Sequence, residues 1–382
     1  MPSPTTIPYH PLQGEAALIL ARKTLRDFIA RGEIPPLQTL IERIYVESFT
    51  AFNIEPSTRQ SIDNWFHQTR EGLIALPELM GKETREVIWH GPALLQIDDH
   101  SGTRFCSPPD PLSSEDFQTS LEILAMENQV EWNFSKPFAS FLLRKENLFL
   151  RATLIHDCLS PQGTPKVFFR QIRFEALPLE AFTIENKVIS LLKEMVQGKS
   201  NILISGSTGS GKTSLMNSMS TFIDPDEHVI ILEDTHEIHS PLPTRTNLVA
   251  RDLPHKSLLD YCAYALRMRP DRILLGEMRS GEVVPFLLAM NTGHRGLMST
   301  IHANDARDAL SRVALLFSVY AGRQDMGHQL VLNLIAKNID YVVHLQNRSI
   351  HSIAKVLGSE GPNCFIETVY EASTVEKGGQ GS

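Results

Sequence analysis

The chain has 382 residues, 42% hydrophobic and 21% charged, a balance ordinary for a soluble globular protein and a length that predicts two or three domains. Its net charge of −8 argues against a generally basic nucleic-acid-binding surface, leaving open a local patch or a basic pore. No run approaches the roughly eighteen apolar residues of a membrane span, and the Met1-Pro-Ser-Pro start lacks a signal-peptide pattern, so a cytoplasmic protein is expected.

Residues 1–14, with four prolines, read as a loose tail. From Gly14 the apolar residues Ala17, Leu18, Ala21, Leu25 and Phe28 fall near helical spacing. Pro35-Pro36 breaks that pattern, Leu37, Leu40, Ile41 and Ile44 begin a second helix, and a third follows Pro56-Ser57. Together, residues 15–80 form a helical segment that could cap the next domain or pack on a neighbouring subunit.

Residues 81–176 favour strands, at Glu86–His90, Ala93–Ile97, Leu148–Ile155 and Val167–Phe174, with a helix over Ser114–Glu131; this is a small α+β domain. A linker at Phe174–Ala181 and a helix over Ile184–Val196 lead into a third region, 177–370. There apolar runs (Ile202–Ile204, Val229–Leu232, Ile273–Leu275, Leu297–Ile301) alternate with helical patterns (Lys256–Met268, Glu282–Met290), predicting a mostly parallel, doubly wound α/β sheet with its ligand site at the carboxyl ends of the strands. Late strands are expected at Tyr341–Leu345 and Ile353–Val356, then a disordered tail at 371–382. Cys106, Cys158, Cys262 and Cys364 lie far apart with no Cys-x-x-Cys, which predicts buried thiols and neither a zinc module nor a disulfide framework.

Four motifs stand at the ends of successive predicted strands. The first, Gly206-Ser207-Thr208-Gly209-Ser210-Gly211-Lys212-Thr213-Ser214, is a P-loop. Its glycines permit positive φ and close approach of backbone N–H groups to phosphate. Lys212 offers a charge to the β and γ phosphates, and Thr213 a hydroxyl to Mg²⁺. The second, Leu232-Glu233-Asp234-Thr235-His236-Glu237, places carboxylates where they could hold Mg²⁺ or orient water, or simply cap a helix.

The third, Asp271-Arg-Ile-Leu-Leu-Gly276-Glu277-Met-Arg279, has the layout of a Walker B strand ending in a carboxylate that polarises water. Gly276 occupies the usual place of the metal-holding Asp, which shifts the metal role in part to Glu233 or Asp234. Arg279 could pair with a carboxylate or with phosphate. The fourth, Thr292-Gly293-His294-Arg-Gly296-Leu-Met-Ser-Thr-Ile-His302-Ala-Asn304, carries two histidines as candidate sensors of the γ-phosphate; it has no third ligand at a metal-binding spacing.

In this order and spacing the four motifs resemble those of the secretion ATPase superfamily, the traffic ATPases of type II secretion, type IV secretion or conjugation, and type IV or Tad/Flp pili. The resemblance runs from about Arg85 to Tyr370. It implies a RecA-like ATPase domain preceded by an α+β domain, an ATPase using ATP and Mg²⁺, and a homo-oligomeric ring, normally a hexamer. The implied partners are inner-membrane platform or channel proteins, with the protein held peripherally at the inner membrane and no direct nucleic-acid binding. The absence of a four-cysteine module and the Leu-Arg-Met-Arg-Pro-Asp-Arg-Ile-Leu-Leu-Gly-Glu segment favour the branch of conjugative and Tad/Flp pilus ATPases, whose members share most of these features. It also implies first-domain arginines that close the site; Arg170 and Arg173 match that place, Arg170 better, with Arg144 and Arg151 as weaker candidates.

Overall fold

The computed structural model describes residues 14–47, 55–74, 79–81, 84–99, 101–108, 110–145, 148–172, 175–250, 256–322, 327–361 and 363–372. The expected loose start before Gly14, the tail beyond 372 and the candidate Arg173 lie outside the described residues. The chain divides into two compact units, Met1–Ile172 and Arg173–Ser382.

In the first unit, α1 (Gly14–Ile29), α2 (Leu37–Glu47) and α3 (Pro56–Glu71) follow the predicted periodicity, with Pro56 in the first turn, where its missing N–H costs nothing. Ala17, Ala21 and Leu25, one stripe at i, i+4, i+8, pack against Leu40, Ile41 and Ile44 of α2 and Ile62, Trp65 and Phe66 of α3. Ile123 of α4 (Ser114–Glu127) completes this cluster. The helix ends four residues before the predicted Glu131, because Gln129 turns left-handed at φ 58° and the N–H of Val130 closes back on the carbonyl of Ala125 at 2.9 Å.

On its other side α4 presents Phe117, Leu121 and Leu124 to an antiparallel sheet of β1 (Glu86–Trp89), β2 (Leu95–Asp98), β3 (Thr103–Cys106), β4 (Phe138–Lys145), β5 (Leu148–Ile155) and β6 (Lys166–Ile172). The strand order is β3-β2-β1-β6-β5-β4. Val87, Leu150, Ala152, Leu154, Val167 and Phe169 fill the covered face. β3 and β4 were not anticipated; every residue of β3 is exposed, so no apolar alternation marks it. The buried-thiol expectation is corrected at two positions: Cys106 lies on this exposed strand and Cys158 in an exposed turn after β5, whereas Cys262 is buried and Cys364 half-buried.

The second unit opens with α5 (Asn186–Gln197), followed by β7 (Ile202–Gly206), α6 (Lys212–Ser220), β8 (Val229–Glu233), β9 (Arg245–Val249) and α7 (Leu258–Ala265). Next come β10 (Arg272–Leu275), α8 (Val283–Asn291), β11 (Met298–Ile301), α9 (Ala306–Tyr320), α10 (His328–Asn338), β12 (Tyr341–Gln346), β13 (Ser349–Glu360) and β14 (Asn363–Glu371). The sheet order is β14-β13-β12-β7-β11-β10-β8-β9. From β12 to β9 the pairing is parallel, and β13 and β14 extend it as antiparallel hairpins. All residues of β7, β8, β10 and β11 are buried, as expected of central parallel strands covered on both faces. One core packs α7–α10 on the sheet, with Phe286, Leu310 and Val331; the other packs α5 and α6, with Leu192, Leu215 and Met219. β9 and β14 were also missed in the sequence: Arg245–Val249 and Asn363–Glu371 are the two edges of the sheet, with no buried residue to mark them.

Candidate nucleotide-binding site

Strand register brings the motif ends to one edge of the second sheet. Ser205 pairs with Ile301, Leu275 with both Leu232 and Ser299, so Gly206, Glu233, Gly276 and His302 leave their strands at the same edge. At Gly206 the backbone turns with φ 153°, and an added Cβ would stand 2.6 Å from both the Leu345 carbonyl oxygen and Ser210 Oγ. Gly211, at φ 92°, is the N-cap of α6. The helix therefore opens directly on the loop, presenting the unpaired N–H groups and positive dipole end that bind anions. Ser210 Oγ is buried without a hydrogen-bond partner, a polar atom suited to a phosphate oxygen. Lys212 is only 7% exposed; its Nζ donates to the carbonyls of Gly206 (3.1 Å) and Ser207 (2.9 Å) and lies 3.3 Å from His302 Nδ1.

The acidic turn after β8 separates its carboxylates into two roles. Glu233, 2% exposed, accepts from the N–H groups of Glu237 (2.8 Å) and Ile238 (2.6 Å) and meets His236 Nδ1 at 3.1 Å. Burial pushes its carboxyl up and these bonds pull the other way, leaving it above the ordinary value. Glu233 thus folds the turn, while Asp234 stands half-exposed with Arg279 Nη1 at 3.9 Å. Asn217 of α6 holds the same turn, donating to the Glu237 carbonyl (3.1 Å) and accepting from the His239 N–H (2.9 Å).

After β10, Glu277 Oε2 accepts from Arg279 Nη2 at 2.6 Å. Glu277 Oε1 is buried with His302 Nε2 3.0 Å away, close enough for attraction but in no hydrogen-bond alignment. Lys212, His302, Glu277 and Arg279 therefore form a continuous polar chain at the mouth of the P-loop. The hydrogen bond it donates to Glu277 raises the Arg279 guanidinium further, so it stays charged. Burial and then the Lys212 cation hold His302 below the ordinary histidine value, against the pull of Glu277, so its imidazole is neutral at neutral pH. Thr300 Oγ1 donates to the Gly276 carbonyl at 2.7 Å and ties the two motif strands together.

His294 does not join this group. The Gly296 N–H bonds to the Lys199 carbonyl, three residues ahead of β7 and seven before Gly206. At about 3.3 Å per strand residue that is the opposite edge of the sheet. There His294 Nδ1 closes the end of α8 on the Ala289 carbonyl at 3.2 Å. The pairing of both histidines at one phosphate is thus corrected: the strand between them carries them to opposite edges. The neighbouring Gly296, at φ 71°, leaves space for the buried Arg272, which pairs with Glu227 and donates to the Val196 carbonyl at 2.7 Å.

In the first unit, register places Arg170 beside Glu86 on one side and Arg151 on the other, on the sheet face opposite Val87, Ala152 and Phe169. Burial lifts the Glu86 carboxyl against the pull of Arg170 and Arg151. Arg144 lies over the Phe149 ring, 5.3 Å from its centroid.

Glu282 escaped the sequence reading. It is 2% exposed and accepts from the N–H groups of Arg279 (2.5 Å) and Ser280 (2.7 Å), fixing the turn from which Arg279 reaches Glu277. Ser280-Gly-Glu282 ahead of an apolar helix was the available signal.

A family model described as "Type II/IV secretion system protein" matches residues 161–355, just over half of the chain. The type IV secretion system protein VirB11 of Bartonella henselae is 35% identical over 159 residues, covering 41% of this chain and 45% of that protein. The conjugal transfer protein TrbB of Rhizobium radiobacter is 34% identical over 190 residues, covering 48% and 56%. The chain spans about half the length of the curated relatives it matches. Among solved structures, the pilus retraction motor PilT with bound ADP aligns with TM-score 0.54 at 20% identity, covering 80% of this chain and 83% of that one. The Legionella pneumophila ATPase DotB aligns with TM-score 0.53 at 18% identity, covering 78% of each. At these identities the two structures speak for the fold alone, that of a RecA-like α/β domain.

Proposed function

Because the chain belongs to the type II/IV secretion system protein family, we propose that it is an ATP-hydrolysing motor of a membrane-spanning secretion or pilus machine. The observation that carries this is the buried Glu277 oxygen beside His302 and Lys212 at the mouth of a P-loop. A carboxylate oxygen held there without a hydrogen bond suits the orientation of an attacking water.

In this mechanism the backbone of Gly206 to Gly211, with Ser207, Thr208, Ser210 and Ser214 around it, cradles the phosphates. Lys212 exchanges its carbonyl partners for phosphate oxygens. Glu277 orients water, and Arg279, donating to the other carboxylate oxygen, fixes the direction of that side chain. His302, bridging Lys212 and Glu277, registers the change when the γ-phosphate leaves. The Thr213 hydroxyl and the Asp234 carboxylate would hold Mg²⁺, with Glu233 setting the turn that aims Asp234. The metal, when bound, neutralises charge developing on the phosphate oxygens.

We further propose a homo-oligomeric ring, normally hexameric in this family, in which Arg170, or Arg173 three positions on in the sequence, comes from a first unit to spread positive charge over the phosphates. A monomer with full activity would refute this part. The names of the curated relatives favour a type IV secretion or conjugative machine. We propose that the protein acts on the cytoplasmic side of the inner membrane through membrane partners. Among the described residues no helix is long and apolar enough to cross a membrane.

The test is steady-state phosphate release from the purified protein. Lys212→Ala and Glu277→Gln are each expected to reduce turnover by a factor on the order of 10² or more. Undiminished turnover in both variants would sink the mechanism.

A further inference from the structure

We infer that His344 is a positioning residue for the phosphate loop, acting on it from behind through Ser205. No sequence motif contains His344, and the mechanism above does not use it. It stands on β12 directly beside Ser205, the residue before Gly206, and the two side chains share a hydrogen bond of 3.0 Å between Nδ1 and Oγ. Both are buried, His344 at 5% exposure and Ser205 at 0%.

Two further observations show that the contact is built. His344 pairs with Ser352 and Leu345 with Ile350, so the register shift leaves His351 as an extra residue on β13 beside the contact, its ring edge-on to that of His344. The next residue, Leu345, places its carbonyl oxygen 2.6 Å from where a Cβ on Gly206 would sit. The end of β12 therefore meets the loop twice, once with backbone at Gly206 and once with an imidazole at Ser205. A loop that must present several N–H groups to one phosphate tolerates little displacement, so fixing the residue before its first glycine preorganises the cradle.

The groups facing His344 are His351 on β13, its ring edge-on at 6.1 Å, with Lys212 of α6 and Asp305 at the start of α9. Burial first, then His351 and Lys212, hold His344 below the ordinary histidine value, with Asp305 opposing. The ring is neutral at neutral pH and places no second cation behind Lys212.

The inference rests on the nucleotide-binding reading, and a double-mutant cycle separates the two. Binding of fluorescently labelled ADP with Mg²⁺ would be measured for the wild type, Ser205→Ala, His344→Leu, the double variant and His344→Asn. The Asn amide can replace Nδ1, so rescue by that variant discriminates positioning from mere packing. Loss of one buried hydrogen bond is worth about 1 kcal/mol, or roughly fivefold in affinity. Each of the two breaking variants should weaken binding by about that factor, the double variant no further, and His344→Asn should stay close to wild type. Multiplying effects, or an Asn variant as weak as Leu, would overturn the inference. Failure of the wild type to bind would instead overturn the nucleotide reading. Amide hydrogen exchange over residues 203–207 in nucleotide-free protein then decides the positioning role alone: exchange faster in Ser205→Ala and His344→Leu but not in His344→Asn supports it, and equal exchange in all refutes it.

Discussion

Replacing Asp116 by alanine should loosen the first unit as a whole, because this one carboxylate joins its three layers. Asp116 is 4% exposed and accepts from Arg22 on α1 at 3.0 and 2.9 Å, from Trp65 Nε1 on α3 at 2.9 Å and from Ser113 Oγ at 2.6 Å, while α4, which carries it, packs on the sheet. Breaking one partner of a buried ion pair costs about 3–5 kcal/mol. The Arg22 side chain is 27% exposed, so water recovers part of that loss; the unpaired buried indole N–H adds its own cost. We expect about 3 kcal/mol. The chain's three tryptophans, Trp65, Trp89 and Trp132, all lie in the first unit, so tryptophan fluorescence during urea unfolding reports that unit selectively. With a slope of about 1–3 kcal/mol per molar urea, the midpoint should fall by about 1 M or more.

The pH dependence gives a second reading of the same contact. Burial pushes the Asp116 carboxyl up, but the bonds from Arg22, Ser113 and Trp65 outweigh it and leave the group below its ordinary value. A depressed folded pKa stabilises above the unfolded value of about 3.9 and loses that contribution as pH falls below it. The gap between wild type and variant should thus be full at pH 7 and shrink below about pH 4. A midpoint shift under about 0.3 M at pH 7, or a gap that does not vary with pH, would refute this account.

Gly206→Ala should abolish binding of labelled ADP and also lower the thermal midpoint, since at φ 153° the new methyl meets the backbone carbonyl oxygen of Leu345 and Ser210 Oγ, each at 2.6 Å; normal binding would contradict the geometry. Gly296→Ala places a Cβ 2.7 Å from Arg272 Nη1 at a φ of 71°, and should destabilise the second unit by about 2–4 kcal/mol, read by far-ultraviolet circular dichroism. His302 is held below about 6.5, so it takes up a proton only on the acid side of neutrality, where it would repel Lys212. Turnover should fall there, and a pH profile of His302→Gln should lose that acid limb. Arg279→Ala should slow turnover more than it weakens ADP binding, because it removes the partner of Glu277 Oε2; equal losses in both would argue for a phosphate contact instead.

The helices of both units and the four fully buried parallel strands were legible because their signals are local. A stripe such as Ala17, Ala21, Leu25 or a run such as Ile202–Ile204 carries its own periodicity. β3 and β9 were not legible: Thr103–Cys106 and Arg245–Val249 are edge strands that exist by pairing with a neighbour and bury no side chain. The site divides in the same way. Gly206, Lys212 and Glu277 follow from motif chemistry, whereas Glu233 and Asp234 are adjacent carboxylates that only the folded turn separates into one buried hinge and one half-exposed ligand candidate.

What the residues alone determined is the candidate phosphate cradle of the second unit, since a P-loop works through backbone conformation and one cation, both encoded within a few consecutive positions. What the tertiary structure decided is which distant groups meet there. The intervening strand β11 brings His302 to Lys212 and Glu277 and leaves His294 at the opposite edge; parallel pairing sets His344 beside Ser205, 139 residues away in the chain. Such juxtapositions depend on strand order and register, which arise from the packing of the whole sheet and leave no mark in any short stretch of sequence.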